Sequence, residues 1–386
     1  MWFTEKARKL AHDLVLTGGR VIDPSNGRDC VEDVAFSNGL VSKIGQGLSG
    51  NITFDASGAI VTPGLIDMHT HVYWGGTSLG VDADTYSAKS AATTLVDTGS
   101  AGPGNFAGFR AHVIERANTR VLVYLHVSFA GIFGFSSNIM VGESWDLRLM
   151  AARDSAEVAL ANKDLIVGIK VRVGLHTSGP SGIAPLEIAL DVADRTGLPI
   201  MAHIDEAPPR YEDVVDLLRP GDVLTHCFRP YPNCPAHGDG RVKDAVLRAR
   251  ERGVIFDVGH GMGSFAWETG QAMMAAGFPP DTISSDVHAL CINGPARDLL
   301  YTMTKFLALG MPLLDVIRAT SSAPANALRR NDLGHLTPGV SKDASIICVK
   351  NQKVELEDTV GNLMPFEKNI IPIGTVQAGK LILANA

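Results

Sequence analysis

Two histidines separated by one residue, His69 and His71, end an apolar run in the segment VTPGLIDMHTH. Alternate residues of a β-strand face the same side, so this spacing places both imidazole rings where they can bind one metal ion. Such a pair also occurs by chance, and a single histidine at a strand end is more often a hydrogen-bonded structural residue. The interpretation therefore depends on whether similar residues occur at comparable positions elsewhere.

Three further segments carry a ligand-type residue near the end of an apolar run: His203 in LPIMAHID, His226 in DVLTHCF and Asp286 in TISSDVH. Imidazole and carboxylate groups are the ligands that zinc and similar divalent ions take in proteins. Taken alone, Asp286 could equally be the N-cap of a following helix. A shared metal site explains all of these placements together, whereas structural roles must explain each one separately.

Lys170 and Arg172 lie on one face of the segment LIVGIKVRV, opposite to its leucine and its valines. A lysine that points inward must be paired, uncharged or chemically modified, because an isolated buried charge is costly. The alternative for Lys170 is a core salt bridge with Asp67 or Asp205. For Arg172, a core salt bridge and a bidentate anchor for a substrate carboxylate are equally compatible with the sequence.

The ligand-type residues fall near the ends of runs that the β-branched content and the flanking Gly, Pro or Asp residues predict to be strands. The predicted strands are 61–71, 93–99, 120–128, 164–173, 198–204, 222–228, 254–260 and 282–287. Helical patterns follow most of them, at 144–162, 185–196, 211–218, 240–252 and 296–309. Eight strand–helix units predict an α/β fold, the (β/α)8 TIM barrel, whose functional residues lie at the C-terminal ends of the strands. An open doubly wound sheet is the alternative, but no GxGxxG motif follows the first strand to favour its dinucleotide-binding form.

Both ends of the chain show short alternating strands between glycine-containing turns, such as DLVLTGGRVIDP near the start and ASIICVK and GKLILAN near the end. We expect the two ends to pair into one small β-sandwich. The predicted domains are therefore a β-sandwich of residues 1–60 and 333–386, and a barrel of residues 61–332.

Composition excludes several classes of protein. The 34 Lys and Arg against 41 Asp and Glu give a net charge of −7, and no basic cluster indicates binding to nucleic acid. No window approaches the ~20 apolar residues of a membrane span, and the polar start lacks the apolar core of a signal peptide. The five cysteines are scattered without a CxxC pair, which favours a reducing compartment, so we expect a cytoplasmic protein. We expect a small-molecule substrate as partner; a homo-oligomer is compatible with the barrel surface, although no segment marks an interface.

The motifs VTPGLIDMHTH, GIKVR, THCF and SSDVH resemble those of the amidohydrolase superfamily, over essentially the whole chain from Asp13 onward. Within that superfamily the chain is similar to the dihydroorotase-like group. The segments HTHVYWGGT, LVDTGSAG and DVGHGMGSF are similar to those of its bacterial dihydroorotase-like deacetylases. The resemblance implies a (β/α)8 barrel with a β-sandwich built from both termini, as the strand pattern predicts.

The resemblance also implies a binuclear centre of two divalent ions, for which zinc is expected and manganese is the alternative. The implied ligands are His69, His71 and Asp286 for the more buried ion, His203 and His226 for the second, and a carbamylated Lys170 that bridges the two. In such a centre a metal-bridging hydroxide attacks the substrate carbonyl, and Asp286 shuttles the proton to the leaving group.

One departure from the family pattern concerns the substrate. In dihydroorotases the His-x-His pair is typically followed by an arginine that holds a substrate carboxylate, but residues 72–75 here are Val-Tyr-Trp-Gly. Arg172 is the predicted replacement, and His260 and His288 are predicted as further substrate contacts. The loop 129–138 is predicted to form an apolar wall over the site.

These features predict a binuclear metal-dependent hydrolase that cleaves an acyl ester or amide, like a deacetylase, in a small carboxylate-bearing substrate. The first alternative is a cyclic-amide hydrolase of the dihydroorotase or hydantoinase type, which uses the same metals with a different pocket. The second is a non-catalytic scaffold of the same fold, and the retention of all six implied ligands argues against it.

Overall fold

The computed structural model of the protein describes residues 12–384, and these contain two sets of strands in separate sheets. The strands are, in chain order, β1 (His12–Asp23), β2 (Arg28–Ser37), β3 (Leu40–Gly45), β4 (Gly50–Asp55), β5 (Ile60–Pro63), β6 (Leu65–Thr70), β7 (Ala92–Thr98), β8 (Arg120–His126), β9 (Ile166–Val173), β10 (Ile200–Ile204), β11 (Val223–Leu224), β12 (Ile255–Phe256), β13 (Ala344–Glu357), β14 (Leu363–Gln377) and β15 (Lys380–Leu383). The helices are α1 (Ala83–Ser90), α2 (Phe106–His112), α3 (Ala152–Ala161), α4 (Ala184–Thr196), α5 (Tyr211–Leu217), α6 (Asp244–Glu251), α7 (Trp267–Ala275), α8 (Leu299–Ala308), α9 (Leu313–Arg318) and α10 (Ser322–Ala327). Residues 1–11 lie outside the described residues, and they include most of the chain start in which the sequence shows no signal-peptide core.

The strands β6 to β12 form one parallel sheet in chain order. The segment 282–287 closes this sheet into a barrel because it is hydrogen-bonded to both edges. On one side the Val258 N–H donates to the Thr282 carbonyl at 3.1 Å, and on the other the Asp286 N–H donates to the His69 carbonyl at 2.8 Å. The predicted (β/α)8 barrel is therefore confirmed, with an eighth strand too irregular to form a continuous ladder.

The barrel strands are buried on both faces, which explains why the sequence shows nearly continuous apolar runs there. Their outward side chains pack against the surrounding helices in a large apolar cluster. Their inward side chains fill the barrel at its lower end with a second cluster that includes Met68, Val96, Tyr124 and Met201. The polar residues are thus left for the upper, C-terminal end.

The second sheet contains strands from both ends of the chain, in the order β15-β14-β13-β5-β1-β2-β3, with β4 beside β1. It has its own core, in which Val21 and Phe36 from the first part of the chain meet Ile346 and Val376 from the last. This is the predicted β-sandwich of N- and C-terminal segments. Its sheet extends to Pro63, three residues beyond residue 60, where the domain boundary was predicted.

The prediction of one strand over residues 61–71 is wrong, because two strands in different sheets occupy this stretch. β5 pairs with β13 in the sandwich, whereas β6 pairs with β7 in the barrel. Gly64 lies between them, and a Cβ atom there would come within 2.2 Å of the Thr93 hydroxyl oxygen. The glycine of the PGxID motif therefore permits the close passage from one sheet to the other.

The predicted helix over 144–162 is shorter than expected and begins only at Ala152. The residues before it form part of the barrel mouth, where the Trp145 indole N–H donates to the His176 carbonyl at 3.0 Å. The helices predicted at 185–196, 211–218, 240–252 and 296–309 correspond to α4, α5, α6 and α8.

Within residues 12–384, no helix has both the length and the apolar character needed to cross a lipid bilayer. All five cysteines have free thiols.

Candidate metal centre

A cavity of about 290 Å³ opens at the C-terminal end of the barrel. All six residues that the resemblance implies as ligands line it: His69, His71, Lys170, His203, His226 and Asp286. They come from the ends of β6, β9 and β10, from the residues just after β11, and from the segment 282–287. Residues separated by up to 217 positions in the chain therefore meet in one place.

The tightest group consists of His69, His71 and Asp286. The Oδ1 atom of Asp286 lies 3.2 Å from the Nε2 atoms of both histidines, and the possible ligand atoms of these three residues all lie within 4.8 Å of one another. The same Oδ1 atom is buried and has no hydrogen-bond partner among the described residues. Buried polar atoms are normally paired, so this arrangement suits a cation that all three residues bind.

The tautomer of His69 supports this assignment. The Thr225 hydroxyl donates its hydrogen to Asp257 at 2.8 Å, so it must accept from His69, whose Nδ1 atom lies 2.8 Å away. The hydrogen of a neutral His69 is therefore on Nδ1, and Nε2 presents a lone pair to the Asp286 carboxylate. Two acceptors at this distance repel unless a cation lies between them. Metal-binding histidines usually have such outer partners. Here Thr225 contacts the imidazole of His69, and the Asp257 carboxylate contacts Thr225.

His226 and His203 form the second pair, with ring centroids 4.4 Å apart. The Nδ1 atom of His226 lies 2.6 Å from the Gly259 carbonyl oxygen, which can only accept, so Nδ1 carries the hydrogen and Nε2 has the lone pair. The Nε2 atom of His203 is buried and has no hydrogen-bond partner in the described part of the chain, where the Asp205 carboxylate oxygen is 3.6 Å away. This donor set also fits a divalent ion.

Lys170 lies between the two pairs, and its side chain is buried. Its Nζ atom is 3.3 Å from Nε2 of His69, and no carboxylate of the described residues lies within 4.0 Å of it. The core salt bridge with Asp67 or Asp205 is therefore not formed. Burial lowers the pKa of Lys170 to about 7, so the uncharged amine is readily available near neutral pH.

Burial also sets the protonation of the other groups. It raises the pKa of Asp286 to about 6 and lowers the pKa of His71 to about 3 and that of His288 to about 4. The pKa values of His69, His203 and His226 are all lowered well below the usual range by burial. Neutral imidazoles are the form that binds metal.

Two glycines of the VGHGMG segment allow the chain to pass close to the site. A Cβ atom on Gly259 would lie 2.1 Å from the Thr225 hydroxyl oxygen, and one on Gly261 would lie 2.2 Å from Oδ2 of Asp286. His260 between them points elsewhere. It is fully buried, does not line the cavity, and its Nε2 atom is 2.6 Å from Nζ of Lys305. The structure therefore does not bring His260 to the place where a substrate contact was predicted.

Arg172 and His288, the other predicted substrate contacts, do line the cavity. The Nε atom of Arg172 lies 3.2 Å from the buried carboxylate of Glu143, a charge contact without the alignment of a hydrogen bond. His126 also contacts Glu143, at 3.0 Å. Burial alone would raise the pKa of Glu143, but the charge of Arg172 and the hydrogen bond with His126 lower it.

Sequence reasoning missed Glu143, Thr225, Asp257 and Arg229. Glu143 had a usable signal, because it is the only charged residue between Phe129 and Trp145. The predicted apolar wall is formed in part by this segment, since Phe135 lines the cavity. Thr225 and Asp257 had no such signal, because their role depends on contacts between neighbouring strands.

Comparison with known proteins agrees with this geometry. The chain is 32% identical over 361 residues to a deacetylase of Brucella anthropi, which covers 92% of this chain and 89% of that protein. It is 31% identical over 351 residues to a deacetylase of Agrobacterium fabrum. That alignment covers 90% of this chain and 86% of the relative. No family model matches the chain.

Two solved structures share the fold over 96% of this chain. One, described as an adenine deaminase, has a TM-score of 0.88 at 28% identity and is covered over its full length. The other, described as a dihydroorotase, has a TM-score of 0.88 at 29% identity and is 98% covered. From its relatives, its barrel and sandwich, and its His and Asp cluster that could hold a metal ion, the chain belongs to the amidohydrolase superfamily and is a metal-dependent hydrolase.

Proposed function

We propose that the protein is a binuclear metal hydrolase that removes an acyl group, as an ester or an amide, from a small carboxylate-bearing substrate. The observation that carries this proposal is the set of buried lone pairs that face one another in the cavity, with Oδ1 of Asp286 and Nε2 of His203 unpaired. His69, His71 and Asp286 hold one ion, and His203 and His226 the other. Zinc suits these ligands, and manganese is the alternative.

Lys170 is proposed to bridge the two ions as a carbamate. Its uncharged amine forms a bond to the carbon of CO2 and releases a proton, which gives an anionic group between the two histidine pairs. The lowered pKa of about 7 and the lack of any carboxylate partner support this role. Gly99 leaves the space for the lysine stem, since a Cβ atom there would lie 2.7 Å from Cγ of Lys170.

When bound, the two ions supply an activated water and polarise the substrate carbonyl. The protein supplies the proton transfer. Asp286, with a pKa raised to about 6, accepts a proton from the attacking water and returns it to the departing alcohol or amine. His288 lies beside it, 6.0 Å from His71 between ring centroids, where it can contact the leaving group.

The deacylase reading is favoured by two observations. The relatives named deacetylases match about nine-tenths of the chain. The residues after the His-x-His pair, 72–75, do not include the arginine that is typical of dihydroorotases. Cyclic-amide hydrolysis is the second candidate, because a solved structure described as a dihydroorotase has the same fold at 29% identity.

The test is to purify the protein, measure its metal content, and load it with zinc or manganese in the presence of bicarbonate. Activity is then measured on N-acetylated and O-acetylated amino and hydroxy acids beside dihydroorotate and hydantoins. We expect about two ions per chain and hydrolysis of acetylated acids. Turnover of cyclic amides alone would support the second candidate, and no turnover of any of these by the loaded enzyme would contradict both.

A further inference from the structure

Arg229 is a second arginine in the cavity, which sequence reasoning did not identify. It lies three residues after His226 and lines the same cavity as the six candidate ligands. Its side chain is 7% exposed. Its Nη1 atom donates to two backbone carbonyls, those of Asp205 at 2.5 Å and Asn233 at 3.0 Å. These two bonds hold the guanidinium group at the edge of the site.

The rest of the guanidinium group has no acceptor in the described part of the chain. An arginine has five N–H hydrogens, of which Nη1 carries two. The Nε atom is buried without a hydrogen-bond partner, and Nη2 has none among residues 12–384. The Nε hydrogen is thus buried and unpaired, which is costly unless a ligand accepts it, and the two hydrogens of Nη2 are free to donate to a ligand in the cavity.

The charge of Arg229 has no direct partner among the described residues, although Asp205 and Glu206 act on it from farther away. No carboxylate of the described residues lies within 4.0 Å of it. Asp205 has the larger effect on it, but the carboxylate of Asp205 accepts from the backbone N–H of His176 at 3.1 Å and from the Thr177 hydroxyl at 2.8 Å. Burial lowers the pKa of Arg229, yet it remains a cation near neutral pH.

Arg172 also has a buried Nε without a hydrogen-bond partner among the described residues, so the two arginines differ in their charge partners and not in their unpaired hydrogens. The charge of Arg172 is matched by Glu143, whose side chain is 1% exposed and lies 3.2 Å from Nε. A substrate carboxylate at Arg172 would therefore lie beside an anion that already balances the charge of this arginine. At Arg229 it would supply the missing anion.

We propose that Arg229, rather than Arg172, binds the carboxylate of the substrate and so restricts the enzyme to acylated amino or hydroxy acids. This inference rests on the proposed function and makes its substrate class specific. Arginine suits the task because its planar group donates to a carboxylate in a fixed geometry. Arg172 then acts as part of the cavity wall, held by Glu143 and beneath Phe135, whose ring centroid is 5.2 Å away.

The test pairs each acetylated acid of the panel with its carboxamide, which has the same shape without the charge. The metal-loaded wild type is compared with Arg229→Met, Arg229→Lys and Arg172→Met, and Arg210→Met serves as a control at an exposed arginine. We expect the wild type to prefer the acid by about 100-fold or more in kcat/KM, and Arg229→Met to lose this preference through a rise in KM of about 100-fold for the acid alone. Arg229→Lys should retain part of the preference.

Several outcomes would overturn the inference. One is an equal loss for acid and carboxamide in Arg229→Met, which would indicate a structural role for the side chain. Another is loss of the preference in Arg172→Met while Arg229→Met keeps it. Melting temperature and metal content show whether Arg229→Met folds. If it does not, the inference is tested by the acid-to-carboxamide ratio of kcat/KM in Arg229→Lys and in the wild type. A wild type that hydrolyses carboxamides as well as acids overturns the inference and leaves the proposed function standing, whereas no turnover of either removes both.

Discussion

Among the residues that the structure describes, two lysines, Lys170 and Lys305, are fully buried, and their surroundings differ. The Nζ atom of Lys305 donates to Nε2 of His260 at 2.6 Å, to the Pro295 carbonyl at 3.1 Å and to the Glu357 carbonyl. Within residues 12–384, the Nζ atom of Lys170 has one partner, Nε2 of His69, at 3.3 Å. Burial lowers the pKa of both lysines, so the pKa shift alone does not distinguish them.

What distinguishes them is whether the fold satisfies the buried group. The three acceptors around Lys305 match the three hydrogens of an ammonium group and join helix α8 to the loop after β12 and to strand β13. This is a structural role. Lys170 lacks such partners and lies among imidazole lone pairs, which indicates a group prepared for modification and for a ligand. A buried polar residue is therefore best interpreted by counting its partners.

The largest effect is expected for Asp286→Asn. The amide has nearly the same shape but cannot accept a proton, so kcat should fall by about 1,000-fold. Metal should remain partly bound, because the amide oxygen and the histidines still provide ligands. Activity and metal content, measured on one preparation, check this. Activity within tenfold of the wild type would show that another group transfers the proton.

The Lys170→Ala substitution should lower metal occupancy and reduce activity by at least about 100-fold, since the bridging anion is lost. Acetate or propionate, added at high concentration, should restore part of the activity by taking the place of the carbamate. Lys305→Ala is the matched control and should keep its metal wherever it remains folded. Equal metal loss in the two variants would contradict the distinction between the lysines.

The free energy of unfolding should also distinguish the two lysines, but here the larger effect is expected at Lys305. In the metal-free protein, Lys305→Met should lower the free energy of unfolding by about 3 kcal/mol, because it leaves buried acceptors without donors. Lys170→Met should be neutral or stabilising, because an apolar side chain replaces a poorly paired amine. Urea unfolding measures both. A large destabilisation by Lys170→Met would show that this lysine, too, is structural.

The loop between β12 and α7, which contains Gly261, allows a smaller test. Gly261→Ala should reduce kcat by about tenfold, because its Cβ atom would press on Oδ2 of Asp286 and small displacements of reacting groups are costly. Gly277→Ala, at a glycine that also has a positive φ but has open space around its Cβ position and does not line the cavity, should leave activity unchanged. If the two variants behave alike, the close approach of Gly261 to Asp286 has no functional role.

The smallest effect concerns pH. A lysine whose pKa is lowered to about 7 is uncharged above that pH and protonated below it, and only the uncharged amine reacts with CO2. Metal loading of the apoprotein in bicarbonate should therefore rise between pH 6 and pH 8, by less than about tenfold. Loading measured by metal analysis after removal of free ion checks this, with Lys170→Ala as the control that should lack the pH dependence.

The sequence by itself determined the barrel, the β-sandwich and the six residues that meet in the cavity. Residues 69 and 71 and residues 170 and 172 follow strand periodicity, and periodicity is a local property that a single sequence shows directly. The resemblance to the amidohydrolase superfamily added the roles of these residues, which remain proposals.

Tertiary structure alone decided the details of the site. His226 and Asp286 have positive φ values of 66° and 49°, so the alternation of a strand no longer predicts where their side chains point. The hydrogen on His69, the contact of Arg172 with Glu143, the turning of His260 toward Lys305 and the unpaired charge of Arg229 depend on partners from other strands and loops. These contacts join residues that are distant in the chain, so their chemistry is set by packing rather than by any local pattern.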